Sequence, residues 1–299
     1  MSLILMVADG TGFAHYSMLL ANNQNMKVFN KFDQSCLYNT SPTTNTNTSH
    51  KLPIVTESAQ SASNLSTGKW NTRYSICMTK NKKHQPFGQK VKKKLKNHKV
   101  GLIVSTDISD ATPAAFFCNA HDRGESSNIK KQLDNFEFDY CCAENLPTNR
   151  QKNHFNYKRT KCGLSKKIKN CLTQFKNDKF FLMIEESQID KESHANDMPK
   201  TIKELNNLSC TVKSVFESIP NLKHPVTFIL LSDHATGSIL IQNNLKETFS
   251  EAKFNSDDHD HTLVPAFLYS NHKKNKLRLK PVCSMLDINN IMHKSLKII

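Results

Sequence analysis

Phe180 to His194 reads F-F-L-M-I-E-E-S-Q-I-D-K-E-S-H. Phe180 to Ile184 is an unbroken apolar run, the pattern of a buried strand. Glu185 stands at its tip, and Asp190 and His194 follow at a spacing of four, so one helical turn sets both on one face. Two acids and an imidazole at a strand end suit a hard or borderline metal ion. A polar loop leading into a charged surface helix would spell the same letters. Against that, four more apolar runs in the chain also end in candidate ligands.

Outward from this stretch, Leu3 to Ala8 is an apolar run closed by D-G-T-G, whose glycines allow a sharp turn after Asp9. A helix is expected over Phe13 to Asn22. Val55 to Gly68, V-T-E-S-A-Q-S-A-S-N-L-S-T-G, is rich in small residues that let a helix pack closely on a sheet. The amides at its start favour an anion. Ser58 lies there as a candidate nucleophile, while Ser61, Ser63 and Ser66 read as helix or capping residues. Val100 to Ser105 is the next strand, followed by S-D-A-T-P-A-A at Ser109 to Ala115. Pro113 fits a first helical turn there, with Thr112 or Asp110 as the cap.

Phe136 to Leu146 is expected to contain a strand, Cys162 to Phe175 a helix, and Met198 to Ser218 a helix with apolar residues at helical spacing. Pro225 to Leu231 is a strand closed by S-D-H-A-T-G, Val264 to Tyr269 another, and Asp287 a cap for a last helix reaching Leu296. Lys69 to His98 reads as exposed basic loop and helix. Leu240 to Ser256 reads as irregular, Asn149 to Lys161 as weakly patterned, and the tract near 39–50 as a low-complexity loop. Strands alternating with helices, with polar residues gathered after strands, predict a doubly wound α/β fold. Its central sheet is mostly parallel, with helices on both faces and ligands beyond the carboxyl ends of the strands.

Composition bounds the rest. The 299 residues carry 41 Lys and Arg against 26 Asp and Glu, a formal charge of +15 that favours anionic partners. A lysine-rich coding bias would give the same charge without a function. No apolar run is long enough to span a membrane. No signal peptide is read in the first residues, which run straight into Leu3 to Ala8 and Asp9. The nine cysteines show no C-x-x-C spacing. The candidates Asp9, Asp110, Glu185, Asp190, Asp233, His194, His234 and His261 exceed what one ion needs, and such clusters serve hydrolysis of anionic esters.

At this point the chain resembles the alkaline phosphatase family. The motifs are A-D-G-T-G at Ala8 to Gly12, V-T-E-S-A-Q-S-A at Val55 to Ala62 and D-A-T-P-A-A at Asp110 to Ala115. E-E-S-Q-I-D-K-E-S-H at Glu185 to His194, S-D-H at Ser232 to His234 and H-T at His261 to Thr262 complete the set. The resemblance implies one catalytic domain over 1–299, without a large crown insertion, that hydrolyses phosphate monoesters through a phosphoserine at Ser58. It implies two zinc ions and one magnesium ion. Asp190, His194 and His261 would hold the first zinc. Asp9, Asp233 and His234, with Ser58, would hold the second. Asp110, Thr112 and Glu185 would hold magnesium, with Asp9 shared. Arg123 would grip phosphate, with Lys191 nearby.

The family's aspartate before the nucleophile is Glu57 here, and one extra methylene is expected to displace Arg123. A homodimer, small phosphate esters as substrates, and a periplasmic or secreted setting are further implications, with no specific nucleic-acid partner. The rival readings are a catalytically weak homologue, because of Glu57, and a basic polyanion-binding protein resting on Lys80 to Lys99.

Overall fold

The structure is a computed structural model that describes residues 1–21, 26–42, 55–146, 153–158, 162–241, 252–272 and 277–298. The apolar runs become the middle of one sheet. β1 (Ser2–Ala8) lies at its centre, and β2 (Gln34–Asn39) lies towards one edge. β3 (Met78–Thr79) and β4 (Lys82–Lys83) form a separate small hairpin within the basic stretch. β5 (His98–Asp107), β6 (Tyr140–Glu144), β7 (His154–Asn156), β8 (Lys179–Glu186) and β9 (Val226–Leu231) return to the main sheet. Two more hairpins follow, β10 (Ala235–Thr236) with β13 (His259–Asp260) and β11 (Leu240–Ile241) with β12 (Ala252–Lys253). β14 (Val264–Ser270) and β15 (Val282–Ser284) complete the sheet, whose order is β15-β2-β14-β9-β1-β8-β5-β6-β7. Only β14 runs against its neighbours; the other pairs are parallel.

Alternation along β1 builds two cores. Leu3, Leu5 and Val7 join one apolar cluster and Ile4, Met6 and Ala8 the other, and all six are buried. Each large aliphatic side chain so buried contributes roughly 1.5–3 kcal/mol relative to exposure. On the first face lie α2 (Ser58–Thr67), α3 (Phe87–Lys94), α4 (Ala111–Phe117), α5 (Ser126–Asp134) and α9 (Met285–Leu296). On the second lie α1 (Phe13–Ala21), α6 (Ser165–Gln174) and α8 (Met198–Ser218). This is the doubly wound arrangement, and α7 (Gln188–His194) sits just beyond the end of β8.

Several local expectations are corrected. Asp110, not Thr112, caps α4, because its carboxylate accepts the Ala111 amide at 2.9 Å. The cap of the last helix is Ser284. Asp287 is the third helical residue and returns a bond to the Ser284 amide at 2.9 Å, a capping box. Asn39 ends β2, a strand that the polar composition concealed, and 43–50 of the low-complexity tract lies outside the described residues. Leu240 to Ser256 is not wholly irregular, since β11 and β12 pair across it, while 242–251 lies outside the described residues. No described helix is long and apolar enough to cross a membrane.

Candidate metal centre and nucleophile

The carboxyl ends of β1, β9, β8 and β5 converge, and each delivers an acid within three residues of its end. Asp9 follows β1, Asp233 follows β9, Glu185 is the second-last residue of β8, and Asp110 follows β5. Gly10 lets α7 come in over β1. Its φ is +69°, and a Cβ there would lie 2.7 Å from the Asp190 side chain, so only glycine admits that carboxylate. The Gly10 amide also donates to Asp233 Oδ1 at 3.3 Å.

His234 organises one cluster. Its Nε2 lies 3.4 Å from Asp9 Oδ1, 3.2 Å from Asp233 Oδ2 and 3.1 Å from Ser58 Oγ. Its Nδ1 faces the Thr236 hydroxyl at 3.2 Å, and that hydroxyl donates to Asp190 Oδ1 at 2.5 Å. With its hydrogen committed to Asp190, Thr236 must accept from His234, which places the imidazole proton on Nδ1 and a lone pair on Nε2. Asp9 Oδ1 and Asp233 Oδ2 are buried without a hydrogen-bond donor. Lone pairs of three groups therefore face one point with nothing positive between them.

The same logic holds at a second cluster. His194 Nδ1 faces the Asp257 carbonyl at 2.5 Å and His259 Nδ1 faces the Thr56 carbonyl at 3.0 Å, so both rings carry Nδ1 hydrogens. Their Nε2 atoms then present lone pairs to each other at 3.0 Å. Asp190 Oδ1 lies 3.4 Å from His194 Nε2 and 3.8 Å from His259 Nε2. Two imidazole acceptors and a carboxylate aimed together repel unless a cation lies between them, and nitrogen–oxygen sets of this kind suit zinc.

The structure brings His259, not His261, into this group. β13 pairs Thr236 with His259, which stacks that ring on His234 with centroids 3.5 Å apart. His261 lies beyond the end of β13, where its Nε2 meets the Ser41 hydroxyl at 3.2 Å. Sequence reading chose His261 for the threonine after it and missed His259. Nothing in the local sequence separates the two histidines; the pairing of β13 with β10 does.

A third group lies beside the first. Glu185 Oε2 and Thr112 Oγ1 are buried without a hydrogen-bond partner, Thr112 being in the first turn of α4. Burial, and then the nearby Asp110, push the Glu185 carboxyl well up. At Asp110 burial works in the same sense, but Lys191, Thr106 and Arg123 outweigh it and hold that carboxyl below its usual range. Lys191 Nζ donates to Thr106 Oγ1 at 2.5 Å and lies 3.3 Å from Asp110 Oδ2.

Burial also raises Asp9, reinforced by Asp233, Asp190 and Glu185, and lifts Asp233 to about 6. It presses His234 well down, helped by His259 and His194. Acids raised and a histidine lowered in one cavity mark charge that the protein alone does not balance. The residues thus fit divalent cations, by orphaned buried oxygens and by opposed lone pairs.

Glu57 is the cap of α2. Its Oε1 accepts the Gln60 and Tyr74 amides at 2.7 and 2.9 Å, and its Oε2 accepts Ala59 N and Arg123 Nη1, both at 2.9 Å. The longer acid at 57 thus holds the guanidinium directly. Arg123 Nη2 also reaches Asp110 at 3.5 Å, and the Arg123 backbone amide is tied to Tyr74 O at 2.7 Å.

A doubly wound sheet with buried, cation-seeking acid and histidine clusters beside a serine that opens a helix defines a metal-dependent enzyme. The family model for alkaline phosphatase matches residues 1–146 and 147–295, and the chain belongs to that family. It is therefore a metal-dependent hydrolase of phosphate monoesters. Among solved structures, alkaline phosphatase from the Antarctic bacterium TAB5 is 22% identical, with a TM-score of 0.79 over 99% of this chain and 96% of that one. The cold-active enzyme of a psychrophilic Shewanella sp. is 18% identical, with a TM-score of 0.80 over 99% of both chains. The Thermus thermophilus enzyme is 14% identical, with a TM-score of 0.80 over 100% of this chain and 91% of that one. A histidine-to-glutamate variant of the TAB5 enzyme, 21% identical to this chain, holds Mg in its M3 site. No curated protein sequence matches the chain.

Proposed function

We propose that the chain hydrolyses small phosphate monoesters in two displacements at Ser58, with two zinc ions and one magnesium ion in the three groups described. Asp190, His194 and His259 would hold one zinc. Asp9, Asp233 and His234, next to Ser58, would hold the other. Asp110, Thr112 and Glu185 would hold magnesium, a choice that suits oxygen donors and that a carboxylate-bearing TAB5 variant also makes. When bound, such ions polarise the ester, favour the serine alkoxide and stabilise the departing oxygen.

The chain's own residues do the rest. Ser58 opens α2, so its Oγ sits where helix amides face an anion, 3.1 Å from His234 Nε2. In the first displacement the Oγ–phosphorus bond forms and the ester bond breaks, and the alcohol leaves with a proton. Water then cleaves the phosphoserine and returns the Ser58 hydroxyl. Arg123 supplies two guanidinium donors to phosphate oxygens, a bidentate arrangement that Glu57 orients from behind. Lys191, 3.3 Å from Asp110, holds that acid ionised beside the magnesium group.

The single observation that supports this reading most is the pair of Nε2 lone pairs facing each other at 3.0 Å beside Asp190. The test is elemental analysis together with turnover of a simple aryl phosphate. About two zinc ions per chain are expected. Ser58→Ala should lose nearly all turnover while retaining the metal. Metal-free protein with no gain on adding zinc and magnesium, or undiminished turnover in Ser58→Ala, would overturn it.

A further inference from the structure

All nine cysteines are free thiols. Seven are buried, and the two half-exposed ones, Cys162 and Cys210, meet with their Sγ atoms 3.3 Å apart. They line a surface cleft of about 480 Å³ with Lys166, Lys169 and Lys213, so a small anionic reagent can reach both sulfurs. Cys162 begins the turn that leads into α6, and Cys210 lies on α8. That turn is unfavourable by itself, since Cys162 and Gly163 take φ of 69° and 52°, and only glycine adopts that region freely. It is held down by the Cys162 amide on Asn207 Oδ1 at 3.0 Å and the Leu164 amide on Glu186 Oε1 at 3.4 Å. Asn207 belongs to α8, which also packs on α7, the carrier of Asp190 and His194.

We propose that Cys162 and Cys210 are a covalent crosslinking site, closed by exchange with a low-molecular-weight disulfide, which fastens the Cys162–Leu164 turn to α8. A thiolate of the pair attacks one sulfur of the reagent RS–SR, forming a mixed disulfide and expelling RS⁻. The other cysteine then attacks the protein sulfur of that mixed disulfide and expels the second RS⁻. One reagent disulfide breaks and one protein disulfide forms. The two protons lost by the cysteines leave on two RSH. Burial, with the Cys162 sulfur beside it, pushes the Cys210 thiol up to about 11, which slows thiolate attack by Cys210 near neutral pH. The sulfurs are already in contact, so closure requires little backbone movement.

The test uses the folded, full-length protein incubated with oxidised glutathione, acid-quenched, alkylated and mapped by peptide mass spectrometry. The expected result is one linked pair joining the Cys162 and Cys210 peptides, loss of two titratable thiols, and a higher Tm that a reductant reverses. Cys162→Ser and Cys210→Ser should each prevent the link and leave the Tm of the reduced protein within a degree or two. Glutathione adducts that persist on either cysteine without a linked pair would overturn the proposal. So would a link that forms only after denaturation, or a linked protein that melts no higher than the reduced one.

Discussion

Each of His194, His234 and His259 carries its proton on Nδ1 because a carbonyl or a committed hydroxyl faces that atom. The nitrogens that face into the clusters are thus set by partners on the far side of each ring, the usual way a ligand tautomer is fixed. His259→Ala should lower zinc content and reduce kcat/KM for an aryl phosphate by about a hundredfold or more, since losing an outer-shell partner alone typically costs about 10–100-fold. His261→Ala should leave both near the parent values. Equal losses in the two variants would mean that the ring stacked on His234 is not the ligand. Glu57 gives a second contrast. Replacing it with aspartate draws the carboxylate back by about 1.5 Å, so it can no longer serve the Gln60 and Tyr74 amides and Arg123 together. Each charge-assisted bond lost costs about 1.5–3 kcal/mol. Glu57→Asp should therefore lower kcat/KM roughly tenfold or more, and an increase would show that Arg123 is held too tightly by the natural residue.

At the scale of elements, β8 presents consecutive acids to opposite faces. Glu185 looks to the metal side, and Glu186 is buried towards α6 and α8, accepting from Thr211 Oγ1 at 2.8 Å. Burial raises the Glu186 carboxyl to about 7. A raised carboxyl weakens the fold as pH climbs. Below the unfolded value the acid is protonated in both states, and between there and about 7 only the unfolded chain ionises, so stability falls across that window. Glu186→Gln should melt with the parent near pH 4.5 and above it at pH 8, by up to about 3 kcal/mol. A difference independent of pH would assign the effect to packing instead. β8 was legible in the apolar run before these acids, as were β1, β5, β9 and the strand spacing that made the fold doubly wound. β2 and β15 were not, since half-exposed strands at and next to the sheet edge carry little apolar signal. The histidine of β13 was hidden for a related reason. A two-residue hairpin strand has no periodicity, and only its pairing with Thr236 says which imidazole enters the site.

Over the whole molecule, the charge of +15 acts on every phosphate ester that approaches. Part of the basic stretch is already neutralised, as Lys92 and Lys99 pair with Asp139 at 3.4 and 3.0 Å. What remains should steer anionic substrates, so kcat/KM for a dianionic ester should fall several-fold as salt rises from about 0.02 to 0.5 M, while kcat holds. A flat salt profile would mean that the charge has no part in capture. The order of the sheet has a different consequence. Asp9 and Ser58 lie on early elements, whereas Asp233, His234 and His259 come from β9 and the hairpin strand beyond it. Synthesis runs from the amino terminus, so a nascent chain exposes its serine and first acid long before the imidazoles of either cluster have left the ribosome. Metal capture by the arrangement proposed above would therefore wait until nearly all of the sheet can assemble, and a fragment cut short of His259 would lack one of the two imidazoles that face Asp190.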